Sequence, residues 1–160
     1  MAMRQFVKFD VGNEEFGVDI EQVREIIKIQ EFLKVPKTPK FIEGLINLRG
    51  KVLTVFNLRK RLGMKNQAFD ENSKIIIVDS NDLLIGFTVD VVSEIIRIPD
   101  DAVENTPPTV TGIDKRFLAG VAKSDDKLLL LLDLSQVLSN DEETKLKNFI
   151  NQNEEKVFPS

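Results

Sequence analysis

Catalysis needs a nucleophile, a base or a set of metal ligands, and this chain is short of all three. Its 160 residues include no Cys and no His. That removes thiolate chemistry, the usual zinc ligand sets and the side chain most often used as a base near neutral pH. Carboxylates stand in adjacent pairs at Glu14-Glu15, Asp100-Asp101, Asp125-Asp126 and Glu142-Glu143, a placement typical of solvated turns and helix starts rather than of an acid/base couple. No G-x-G-x-x-G, G-x-x-x-x-G-K-[ST] or G-x-S-x-G run occurs. The residues therefore point away from an enzyme, a metal or a cofactor.

Cations are the other candidates. The stretch GLINLRGKVLTVFNLRKRLG, residues 44–63, sets Arg49, Lys51, Arg59, Lys60 and Arg61 around the apolar run Val52-Leu53-Thr54-Val55-Phe56. Such cations suit a phosphate or nucleic-acid site, the rim of a protein-binding surface, or the solvation of strand ends. A net charge of −4, with no Trp and no Tyr to stack on bases, ranks a nucleic-acid-binding β-barrel far behind. Arg59, Lys60 and Arg61 read as the solvated face of a short helix. Arg49 stands apart, because Asn-Leu-Arg-Gly lies between two apolar strands and a guanidinium held in a tight hairpin presents five donors to a partner.

The elements that would position these residues come in two copies. FGVDIEQVREIIKI (16–29) lies on IGFTVDVVSEIIRI (85–98), matching Gly17 with Gly86, Val23 with Val92 and Glu-Ile-Ile-Lys-Ile with Glu-Ile-Ile-Arg-Ile. FIEGLINLRGKVLTVFNLRKRLG (41–63) then lies on FLAGVAKSDDKLLLLLDLSQVLS (117–139), matching Phe41 with Phe117, Gly44 with Gly120 and Lys51 with Lys127, and putting Asp125 opposite Arg49. Two blocks in one order imply a duplicated lobe: lobe one over 1–70, lobe two over 71–139.

Alternation and turn signals predict strands at 6–11, 15–18, 25–29, 51–56, 75–78, 83–89, 94–98 and 127–132. Asp19 is placed to cap a short helix at 20–24, Asn57 one that ends at Gly63, and Asp133 its counterpart. Ser139 or Asn140 opens a C-terminal helix over 140–153, with residues beyond 150 fraying. The class is mainly β: two small closed or half-closed barrels joined near 69–74, with Pro/Thr-rich loops at 36–39 and 104–112.

With the repeat and the G-L-I-N-L-R-G run in hand, the whole chain resembles the CheW family of bacterial chemotaxis coupling proteins. The resemblance implies one domain over 1–160 made of two similar five-stranded, SH3-like β-barrel lobes packed together. It also implies a non-enzymatic adaptor, cytoplasmic and without direct membrane insertion, that joins transmembrane chemoreceptors to the histidine kinase CheA. The groove that receives the receptor's cytoplasmic hairpin tip would involve Val23, Gly44, Asn47, Arg49, Val92 and Ile95. The kinase's regulatory domain would meet Glu25, Val35 and Lys37 in lobe one and Thr109 and Val110 in lobe two.

End-to-end contacts of that kind can close into rings or lead to self-association. The halves carry unlike charge, 13 Lys and Arg against 9 Asp and Glu in residues 1–70 and 9 against 17 in 71–160, which would favour head-to-tail order. Two positions depart from the family: Thr54 stands where Pro is common, which would alter the edge of its strand, and the loop at Thr109 lacks a large aromatic. A coupling protein of a related chemosensory pathway with another output would use the same surfaces.

Overall fold

The computed structural model describes residues 2–34, 41–80, 83–105, 117–124, 127–136 and 140–157. Among these residues ten strands follow one another: β1 (Met3–Val11), β2 (Glu14–Asp19), β3 (Val23–Lys28), β4 (Ile42–Leu48), β5 (Lys51–Asn57), β6 (Lys74–Ser80), β7 (Leu83–Val89), β8 (Val91–Pro99), β9 (Leu118–Ser124) and β10 (Lys127–Leu132). The short helix α1 (Leu58–Arg61) follows β5, and α2 (Asn140–Val157) ends the described chain, four residues beyond its expected limit at 153. The caps sit where the sequence puts them. Asp19 accepts from the Glu21 amide at 2.9 Å, Asn57 from Lys60 at 3.1 Å and Asp133 from Ser135 at 3.1 Å.

The strands form two five-stranded sheets, in the orders β8-β1-β2-β10-β9 and β3-β6-β7-β5-β4. Overlaying the repeat puts β6 on β1, β7 on β2 and β3 on β8, so the two orders are the same order. Each sheet, however, is built from both halves of the chain. The β1–β2 hairpin sits between β8 and β10, while β6–β7 sits between β3 and β5. The expected halves, 1–70 and 71–139, thus exchange their first hairpins instead of folding side by side.

Three apolar clusters explain the near-continuous hydrophobic runs of β6, β7 and β10. Alternate residues point to opposite faces of a strand, and a run apolar on both faces is buried on both. Ile75 and Ile77 fill one lobe with Leu53, Val55 and Leu84, whereas Ile76 and Val78 face the space between the sheets. Leu129 and Leu131 fill the other lobe with Phe6 and Ile98, and Leu130 and Leu132 join the central cluster. That cluster contains Phe9, Phe16, Phe56 and Phe87, all fully buried, each contributing roughly 1.5–3 kcal/mol by removal from water.

Each sheet curls until, among the described residues, one bridge draws its two edges together. Leu33 and Leu45 exchange backbone hydrogen bonds of 2.8 and 3.0 Å, and Glu104 and Val121 exchange two of 2.8 Å. Glycine is required beside each bridge. A Cβ on Gly44 would lie 2.7 Å from the Leu33 carbonyl oxygen, and one on Gly120 would lie 2.6 Å from that of Glu104. These are SH3-like lobes with interrupted closure.

Candidate partner-binding site

β3 and β8 are sheet edges and repeat counterparts, and both carry apolar side chains into the open. On β3, Val23 lies opposite Val78 and Ile26 opposite Ile76, so both share the face that looks toward the central cluster. On β8, Val92 lies opposite Phe9 and Ile95 opposite Val7, again on that face. Val23 and Val92 are half-buried, while Ile26 is 38% and Ile95 57% exposed. Each strand skips one residue of its ladder, Arg24 in β3 and Ser93 in β8. A bulge of this kind bends an edge and re-aims its side chains. Apolar residues on an open edge are a liability unless a partner covers them. Ile26, the counterpart of Ile95, is absent from the sequence-derived set; the matched Glu-Ile-Ile blocks carried the signal.

Arg49 occupies the tip of the β4–β5 hairpin with φ of 50°, followed by Gly50 at 85°. Two residues with positive φ make the tight turn whose twist matches the flanking strands. A side chain at such a φ costs about 1–2 kcal/mol, which Asn or Gly would avoid. The Asn47 side-chain oxygen accepts the Gly50 amide at 3.0 Å, and both terminal nitrogens of the Arg49 guanidinium face the Glu25 carboxylate on β3. The Arg49 side chain stays 69% exposed. Glu25 and Arg49, assigned by resemblance to different partners, therefore form one unit. Gly44 is buried and plays the close-approach role described above, while Asn47 is exposed. Val35, Lys37, Thr109, Val110 and Asp125 lie outside the described residues.

The cations after β5 are not a solvated face, contrary to the expectation. Arg59 donates to both carboxylate oxygens of Asp90 and, at 3.1 Å, to the Lys65 carbonyl; Asp90 also accepts the Gly12 amide at 2.8 Å. Asp90 is the single residue between β7 and β8, so this pair pins the crossover from one sheet to the other. Lys60 lies 3.3 Å from Glu43. Arg61 meets Glu142 of α2 at 2.9 Å and stacks over Phe41 and Phe117. A sequence shows that a four-residue helix is basic but not which way its cations turn.

Thr54 is paired on both sides, to Leu45 and Ile85, so the departure from Pro falls inside the sheet and not at an edge. Among the described residues no group of three or more Asp or Glu is placed to hold a metal, and no helix is long and apolar enough to cross a membrane.

Two interlocked SH3-like lobes with apolar edge strands and an ion-paired arginine hairpin describe an interaction module. The chain matches the CheW-like domain over residues 5–142 and belongs to that family. It is 30% identical over 148 residues to the chemotaxis protein CheW of Treponema pallidum, covering 90% of this chain and 87% of that protein. It is 32% identical to the chemotaxis protein CheW of Rhizobium meliloti, covering 87% and 90%. The crystal structure of the scaffolding protein TtCheW from Thermoanaerobacter tengcongensis superposes with a TM-score of 0.81 at 39% identity, covering 89% of this chain and 92% of that one.

Proposed function

We propose that this protein is a non-enzymatic adaptor that couples transmembrane chemoreceptors to the chemotaxis histidine kinase, at receptor arrays on the cytoplasmic side of the membrane. The observation that carries this reading is the pair of open, apolar edge strands. Val23 and Ile26 on one and Val92 and Ile95 on the other supply anchors for a helical hairpin, with Arg49 as the polar rim. Helix-in-groove recognition needs that combination of apolar anchors and charged margin. The kinase's regulatory domain meets the Glu25 side and the segments carrying Val35, Lys37, Thr109 and Val110. Receptor state then alters kinase activity by shifting the complex between two arrangements.

Unlike charge on the two strand sets supports end-to-end contacts and ring formation. Residues 23–89, which supply one sheet, carry 12 Lys and Arg against 7 Asp and Glu; residues 1–22 and 90–139, which supply the other, carry 7 against 14. Heterologous contacts between unlike ends propagate into rings. If charge guides them, kinase-domain affinity falls with added salt; an affinity independent of salt removes charge from the explanation.

The role is tested by titrating the protein against a chemoreceptor cytoplasmic fragment and the kinase regulatory domain, with Arg49→Ala and Ile95→Asp alongside and circular dichroism as a fold control. Binding to both partners, with receptor affinity selectively weakened in folded variants, supports it. Binding to neither partner sinks the role, and binding unchanged by both substitutions moves the site elsewhere.

A further inference from the structure

We infer that Asn47 is a positioning residue: it does not touch the receptor but holds the hairpin in the conformation that lays Arg49 on Glu25. This rests on the receptor-groove reading above and gives one of its residues a different task. The turn contains a non-glycine residue at φ 50°, and a bulky side chain persists there only when its surroundings fix it. Two fixings are present. The Glu25 carboxylate receives the guanidinium, and the Asn47 oxygen receives the Gly50 amide at 3.0 Å.

Each fixing depends on the other. Without the Asn47 acceptor, the Gly50 amide is left to water and the turn relaxes toward conformations in which Arg49 has negative φ. Its side chain then leaves Glu25 and samples many rotamers. A partner binding the ordered guanidinium would have to re-order it, so apparent affinity falls by the fraction of time the competent turn is lost. Nothing lies within 4 Å of a Cβ built on Gly50, so the described residues leave open space beside the turn at that position.

The test is a double-mutant cycle on receptor-fragment binding, combined with hydrogen exchange at the Gly50 amide. Asn47→Ala is expected to weaken binding about fivefold, the size of one hydrogen bond that holds a turn, and to speed Gly50 exchange while lowering the thermal midpoint by no more than about 4 °C. Asn47→Asp keeps the acceptor and is expected to restore both. Asn47→Ala combined with Arg49→Ala is expected to bind no worse than Arg49→Ala alone, because an Asn47 that acts through Arg49 has nothing left to position. Additive losses would mean that Asn47 meets the partner itself, which overturns the inference while leaving the groove intact. Gly50 exchange unchanged by Asn47→Ala also overturns it. If Arg49→Ala and Ile95→Asp both bind like wild type, the groove reading fails, and the exchange measurement alone decides whether Asn47 holds the turn.

Discussion

Phe41 and Phe117, counterparts in the two copies of the repeat, share one guanidinium: Arg61 lies 4.5 Å from the centroid of the first ring and 5.2 Å from that of the second. Glu142 of α2 completes the arrangement at 2.9 Å. A single side chain on α1 thus joins both lobes and the C-terminal helix. Phe41 and Phe117 are fixed by matching bonds, their carbonyls accepting from the Asn57 and Asp133 amides at 2.6 and 2.8 Å.

Arg61→Ala is therefore expected to destabilise the fold by about 2–3 kcal/mol through two lost cation–π contacts and the lost ion pair to Glu142. For a chain of this length that lowers the thermal midpoint by roughly 4–12 °C. Arg61→Lys is expected to recover little of it, because an ammonium has no planar face to lie on the rings. Thermal unfolding followed by circular dichroism checks both, and a lysine variant as stable as wild type would show that charge alone suffices.

Gly44 and Arg49 separate structure from surface within one hairpin. Arg49→Ala removes an exposed ion pair worth about 0–1 kcal/mol and is expected to leave the thermal midpoint within a few degrees of wild type. Gly44→Ala drives a methyl group into the Leu33 carbonyl and threatens both hydrogen bonds of the closing bridge, at a cost of about 2–4 kcal/mol. Comparative urea unfolding distinguishes them; equal stabilities would mean that residues 32–33 yield without penalty.

Thr54 has its hydroxyl oxygen buried with no hydrogen-bond partner among the described residues. Its side chain shares a strand face with Phe56, on the side of the central cluster. Thr54→Val keeps the branching and removes the unsatisfied group, so it is expected to stabilise the protein by about 1 kcal/mol, a rise of roughly 2–4 °C in thermal midpoint. A lower midpoint would reveal a partner for the hydroxyl.

Asp10 gives the fold a pH dependence of definite sign. Burial pushes its carboxyl above the ordinary value of 3.8, Glu15 and Asp90 push the same way, and Lys8 and Lys127 oppose them. A carboxyl with a raised folded pKa binds its proton more tightly in the folded state. Its favourable contribution is present below 3.8 and is lost as pH rises through the raised value. Asp10→Asn is expected to be more stable than wild type at pH 7, with the advantage shrinking as pH falls toward 4. Unfolding free energies measured across that range check it, and an advantage that grew on acidification would reverse the assignment.

Much of this was legible in the residues. The repeat placed the strands, because matched glycines and matched Glu-Ile-Ile blocks constrain both copies at once, and Asn47-Leu48-Arg49-Gly50 marked its own hairpin. β4 and β9 were harder to see, since Gly44 and Gly120 interrupt the apolar alternation that announces a strand. Arg59 and Arg61 were misread because their partners, Asp90 and Glu142, are distant in sequence. The pairing of the hairpins was hidden for a different reason. A repeat says that β1–β2 and β6–β7 share one pattern, and that pattern alone does not say which sheet each joins, so only the folded chain reveals it.

That exchange has a consequence that can be measured directly. Of the eight strand pairings among the described residues, four join the first half of the chain to the second: β1 with β8, β2 with β10, β3 with β6 and β5 with β7. Neither sheet is complete without strands from both halves, although the halves are linked covalently only through residues 62–73. Residues 65–72 of that link are exposed, which suits them to insertion and cleavage. With a site-specific protease sequence inserted between Gln67 and Ala68, the folded protein is expected to be cut there and to keep its circular dichroism spectrum. Its two pieces should co-elute on size exclusion and separate only on denaturation. The joined state also gains from the single-chain link, because cutting it converts an intramolecular association into a bimolecular one, so the cut protein's unfolding midpoint should fall on dilution. Pieces that separate under native conditions while each stays folded would show that every lobe is complete within one half, which the interleaved sheet orders do not permit.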